Sequence, residues 1–212
     1  MSEAEFEALL ERHHEFDQRI RRALTTHTYP VPTTVRTNAS WGLCKIALQH
    51  GAGFRVLFAN QLPASAFALV RLQFEAALRA SWLMFAAEEA WVVRFGSPVD
   101  ETVLTEPEKF PHVYQMLSDL EASQSTPVNL HLSLSTLKNK SWETLNSYTH
   151  GGLRSISRVL DGFEFDIKVW MLRTSSSLCY LTVQLCAAIV SAPEASYRIE
   201  AVRQAYPDCM HS

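Results

Sequence analysis

The sequence predicts an all-α fold, a single bundle of about six or seven helices. Apolar residues recur at helical spacing along most of the chain, period-two alternation is almost absent, and only seven glycines interrupt 212 residues. With 47% hydrophobic and 19% charged residues, the chain can bury a substantial core without disulfide or metal, and a disordered chain is excluded. One helical domain over residues 1–212 is expected, with an N-terminal helix within 1–29, a core bundle over 34–160 and C-terminal helices over 166–205.

The first helix should span residues 3–22, where Phe6, Leu9, Leu10, His13, Phe16 and Ile20 approximate one face and the opposite face is charged. Pro30 and Pro32 end it, and "YPVPTT" leads into a second helix over 34–58. Pro63 fits the first turn of a third, over 63–94, and "FGSPVDETVLTEPEKFP" is the clearest loop. Helices over 112–122, 135–160, 166–190 and 194–205 complete the reading. The most apolar tract, "LCYLTVQLCAAIVSA" at 178–192, is shorter than the ~20 residues a bilayer span needs and reads as a core helix.

A net charge of −3 argues against general adhesion to DNA or anionic membrane. Asp100, Glu101, Glu106, Glu108, Asp119 and Glu121 stand against Lys109 alone, and Lys138, Lys140, Arg154 and Arg158 stand against Glu143; both runs read as solvated faces. Cys44, Cys179, Cys186 and Cys209 form no CxxC pair and have no zinc-like spacing. The N-terminus is charged where a signal peptide needs an apolar run. A cytoplasmic protein is expected, with no membrane association, no metal and no cofactor.

The third helix is apolar nearly all round. Phe67, Val70, Phe74, Leu78, Ser81 and Phe85 fall on one side, and Leu69, Leu72, Ala76, Ala80, Leu83 and Met84 cover much of the rest, so this helix is expected to be the most enclosed. Yet Arg71, Glu75 and Arg79 lie on one narrow stripe at i, i+4 and i+8, with Trp82 alongside. Unpaired ions are too costly to bury, so the stripe is an internal Arg–Glu–Arg ladder, the wall of a wet pocket, or a seam reaching the surface. A structural salt bridge is the plainer account. The functional account is an anion pocket, because two guanidiniums held by one carboxylate keep donors free for phosphate or carboxylate.

"NSYTHGGLRSISR", from Asn146 to Arg158, carries the second polar strip. Trp142, Leu145, Thr149, Leu153, Ile156 and Leu160 would face the core, with Glu143, Asn146, His150, Arg154 and Ser157 along one edge. His150 and Arg154 are one turn apart, so they could act on one ligand, with Tyr148 beside them and Arg158 further round. Gly151 and Gly152 imply close approach of a backbone or ligand, or a break in the helix. A histidine hydrogen-bonded at a helix interface is the plainer account of His150. Because each strip would be costly to bury against hydrocarbon, the edge bearing His150 is expected to face the stripe bearing Arg71, Glu75 and Arg79.

"FALVRLQFEAALRASWL", followed about seventy residues later by "LNSYTHGG", resembles uncharacterised bacterial helical proteins in which an Arg- and Glu-bearing core helix accompanies a Tyr-x-His-Gly segment. More distantly it is similar to HEPN and abortive-infection domains, which include toxin-like ribonucleases and inactive binding or dimer-forming versions. That resemblance implies a bacterial defence or toxin–antitoxin role, either as a metal-independent RNase or as a nucleotide-acting protein. The HEPN pattern wants an arginine four to six residues before a histidine, whereas here His150 precedes Arg154. "RALTTH", Arg22 to His27, has the required order without the polar residue usually found after the arginine. The dimeric habit of those families, with the surplus apolar surface of residues 178–192, leads to an expected homodimer.

Other chemistry has little support. No P-loop, dinucleotide fingerprint or GxSxG is present, and "GAGF" at Gly51 is a short turn or helix interruption. His13 and Asp17 are one turn apart, but nothing completes a metal set around them. Two classes of function stay open. In the first, His150 is acid or base and Arg71, Arg154 and Arg79 stabilise phosphate charge, with Glu75, Asn146, Tyr148 and Arg158 around them, acting on RNA or a nucleotide. In the second, a non-catalytic module uses the same residues to bind a partner protein or a small anion.

Overall fold

Caps and breaks laid down in the sequence set where the helices begin and end. Ser2 accepts the Glu5 amide at 3.3 Å while Glu5 accepts the Ser2 amide at 2.7 Å, a capping box that opens α1 (Glu3–Thr25). Thr34 and Thr37 make the equivalent pair before α2 (Val35–Ala59), and Pro63 occupies the first turn of α3 (Pro63–Phe85). Then follow α4 (Glu89–Gly96), α5 (Val113–Ala122), α6 (Val128–Thr149), α7 (Leu153–Asp161), α8 (Phe165–Ile189), α9 (Pro193–Ala205) and a 3-10 turn, Pro207–Cys209. This is a computed structural model describing residues 2–29, 32–96 and 110–211, and among them there is no strand. Pro30, residues 97–109 and the acidic side chains Asp100, Glu101, Glu106 and Glu108 lie outside the described residues.

Nine helices among the described residues, against the expected six or seven, come from two splits. The amides of Ala86 and Ala87 both bond the Trp82 carbonyl, at 2.9 and 2.8 Å, which closes α3 nine residues before Arg94. Gly151 adopts φ +62, and the Gly152 amide turns back to the Ser147 carbonyl at 2.7 Å, ending α6. A side chain at Gly152 would come within 2.8 Å of Ser147 Oγ, so the two glycines break the helix where the sequence offered that as one of their readings.

Helix α3 touches α2, α5, α6 and α8; α8 in turn touches α1, α2 and α9. One core region runs through Phe6, Phe54, Phe58, Phe67, Tyr148 and Phe163, in successive ring contacts of 5.1–5.8 Å. A second joins Phe16 and Ile20 to Val183, Ala195 and Ile199. The most enclosed helix is α8 rather than α3, with 15 of its 25 residues buried against 12 of 23. Thr174, Ser175, Ser176, Ser177, Cys179 and Thr182 are all buried on it, and Thr174 and Thr182 return their hydroxyls to the carbonyls four residues back, at 2.8 and 2.7 Å. Residues 178–192 are accordingly mostly interior and supply no surplus surface. Exposed apolar residues are spread over several helices, and α7 carries a close group of them: Leu153, Ile156, Val159 and Leu160 are 50–85% exposed. None of the helices among the described residues is long and apolar enough to cross a membrane.

Candidate functional site

The Arg71–Glu75–Arg79 stripe forms the ladder that helical spacing implied. Arg71 donates Nε to Glu75 Oε1 at 2.8 Å, and Arg79 donates Nη2 to Glu75 Oε2 at 3.0 Å. One carboxylate therefore holds two guanidiniums and leaves a net single positive charge. Arg71 lies over the Trp142 ring at 4.3 Å and Arg79 over Phe110 at 4.6 Å, so both cations keep an aromatic face on one side. All five residues line an open cavity of about 840 Å³ with His112, Tyr114 and Met116. The ladder is thus the wall of a wet pocket. Arg79 Nε is buried with no hydrogen-bond partner among the described residues. Trp82 is not part of this wall; it is buried and donates to Asp119 Oδ2 at 2.9 Å.

The strip bearing His150 does not share that cavity. Helices α3 and α6 run antiparallel: Phe67 meets Tyr148, and further up α3, Arg71 and Phe74 meet Trp142. His150 lies eight residues beyond Trp142, about 12 Å along the helix, and is exposed at the α6 C-cap. Its side chain makes no hydrogen bond among the described residues. The expected joining of the two strips is therefore corrected by the register of this helix pair, which puts an indole opposite Arg71. The chain then turns at Gly151, and Arg154 bonds Thr144 at 2.8 Å and Glu143 at 3.3 Å while Arg158 bonds Glu164 at 2.7 Å. Asn146 Oδ1 and Tyr148 Oη are buried without partners among the described residues, and burial raises the Tyr148 phenol against the opposing effect of Arg158 and Arg154. Arg22 and His27 are both exposed; Arg22 reaches Gln18, and His27 stands edge-on to Tyr29.

A third polar cluster escaped the sequence reading. Asp17 Oδ2, on α1, accepts from Arg21 Nε at 2.7 Å and from Arg55 Nη2 of α2 at 2.8 Å, with the Asp17 and Arg55 side chains only 6% and 10% exposed. Beside them Gln73 donates to the Ser175 carbonyl at 3.0 Å and accepts from Ser175 Oγ at 2.8 Å, and His13 Nδ1 meets Ser176 Oγ at 2.7 Å. Gly51 permits this: a Cβ there would lie 2.8 Å from Gln73 Nε2 and 2.9 Å from Cys179 Sγ. The four-residue spacing of His13 and Asp17 was the available signal. It marks an interhelical polar joint, and no group of three or more metal-ligating side chains occurs among the described residues.

The profile of a family of unknown function, DUF6988, matches residues 44–212. The chain belongs to that family. The DUF6988 span starts inside α2 and contains both the ladder and His150, while α1, with His13 and Asp17, lies before it. No curated protein and no solved structure matches the chain.

Proposed function

We propose that this DUF6988 protein binds a small anionic ligand of the nucleotide class in the cavity lined by Arg71, Arg79, Trp142 and Phe110. The observation that carries this is the shared carboxylate: Glu75 neutralises one of two guanidiniums, which leaves one positive charge and, among the described residues, the buried Nε donor of Arg79 without a partner. A phosphate would satisfy them, and the aromatic walls suit a flat base. Titration calorimetry with nucleoside phosphates and with inorganic phosphate tests it. Arg79→Met should weaken nucleotide binding at least about tenfold, the loss of one charge-assisted contact, with little change in unfolding temperature. No nucleotide binding at millimolar concentration would end the proposal.

A second reading, a HEPN-like metal-independent RNase of a bacterial defence or toxin–antitoxin system, is favoured by one observation. The exposed, unbonded imidazole of His150 at a helix break is open to a substrate, with Arg154 and Arg158 on the next helix. RNA cleavage and growth toxicity lost together in His150→Ala, with unchanged folding, would support it; retention of both would remove it.

We also propose a homodimer contact on α7. Its arginines pair with Glu143 and Glu164, while Ile156, Val159 and Leu160 are 50–79% exposed. These flank a trough of about 420 Å³ floored by the small residues Ala64, Ser65 and Ala68. Ridge and trough side by side on one patch is what a two-fold, self-complementary contact requires. Light scattering should give a dimer at tens of micromolar. Leu160→Asp should give a folded monomer, and a wild-type monomer would contradict this placement.

A further inference from the structure

We propose that the cleft between α6, α8 and the C-terminal tail binds a small carboxylate with an aromatic or branched apolar body. The cleft is about 230 Å³ and is walled by Leu137, Trp170, Tyr180, Leu181 and Met210. Its polar lining residues are Ser133, Thr136, Lys140, Ser177 and His211, with no carboxylate among them. The Lys140 ammonium forms no hydrogen bond or ion pair among the described residues. Neither does the hydroxyl of Ser177, although that residue is only 6% exposed. The Ser177 hydroxyl and the Lys140 ammonium at the exposed rim are donors that an acceptor bound in the cleft would take up in place of water.

The tail is built into place rather than draped there. Arg12 pairs with Asp208, Arg173 Nε donates to the Asp208 carbonyl at 3.0 Å, and Thr174 Oγ1 meets His211 Nε2 at 2.9 Å. The His211 ring lies 5.7 Å from Trp170. Tyr180 offers only its ring, because its hydroxyl already donates to Glu200 at 2.7 Å. Burial first, and then the nearby charges of Lys140 on α6 and Arg173 on α8, hold the His211 imidazole below the usual histidine range. A bound carboxylate would offset both cations and favour the protonated ring, so binding takes up a proton and tightens as pH falls. The cleft is much smaller than the Arg71 and Arg79 cavity, about 230 against about 840 Å³, and shares no lining residue with it.

Calorimetry on the full chain with phenylacetate, its neutral analogue 2-phenylethanol and inorganic phosphate tests the proposal. Phenylacetate should bind, the alcohol at least about tenfold more weakly, and phosphate not at all, with affinity rising from about pH 7.5 to about pH 5.5. Lys140→Met, at an exposed position, should lose at least about tenfold and Ser177→Ala a smaller factor, whereas Arg79→Met should leave phenylacetate affinity unchanged. The proposal is overturned if phenylacetate shows no binding at millimolar concentration or the alcohol binds equally well. It is also overturned if Lys140→Met has no effect, or if Arg79→Met abolishes the signal. Loss of nucleotide binding leaves this cleft untouched, so the two sites stand or fall separately.

Discussion

Asp17→Ala is expected to cost about 3–5 kcal/mol, the range for a buried ion pair that loses one member. Both arginines that Asp17 holds would remain, and Arg55, with a side chain only 10% exposed, would be left beside Arg21 without a counter-charge. A domain of this kind is stable by about 5–15 kcal/mol, so the variant should lose a large share of its folded population on mild heating or in low urea. Adding Arg55→Met should recover part of the loss, because removing both partners relieves the stranded charge. Urea midpoints for the two variants measure this; a single variant as stable as wild type would show that the joint carries no load. Glu75→Ala should cost less, since Arg71 and Arg79 are 15% and 32% exposed and water can replace part of what the carboxylate supplies.

Acid should destabilise the fold through His13. Burial, with smaller contributions from Arg173, Arg55 and Arg12 and against Asp208, lowers its imidazole from 6.5 to about 4. Between those values the unfolded chain binds a proton that the folded one refuses, so the unfolded state gains. Stability is fully present above about pH 6.5 and declines as pH falls towards 4, by about 3 kcal/mol in total for this one group. His13→Asn, which cannot titrate, should be less stable at neutral pH but show a flatter decline. Urea midpoints measured across this pH window would contradict the assignment if both proteins declined in parallel. These two predictions concern α1, which lies before the span matched to DUF6988, and they make that helix a structural part of the bundle through His13–Ser176 and Asp17–Arg55.

What the sequence by itself determined is whatever depends on neighbours within one helix. The all-α class, the opening residue of α3 and the Arg71–Glu75–Arg79 pairing follow from 3.6 residues per turn and from backbone chemistry, while Gly151–Gly152 offered a break only as one reading within a helix expected over 135–160. Partners three or four residues apart meet whatever the rest of the chain does. Relations between helices were decided by the tertiary structure. Trp142 rather than His150 faces Arg71 because Phe67 seats on Tyr148 and Phe74 on Trp142, and no periodicity within either helix encodes that register. The greater enclosure of α8 depends on the elements that surround it, α1, α2, α3, α9 and the C-terminal 3-10 turn. Asp17 finds Arg55 across 38 positions, and Gln73 finds Ser175 across 102. Such pairings rest on packing that minimises voids and unpaired polar atoms over the whole bundle at once, a condition visible only when every helix is in place.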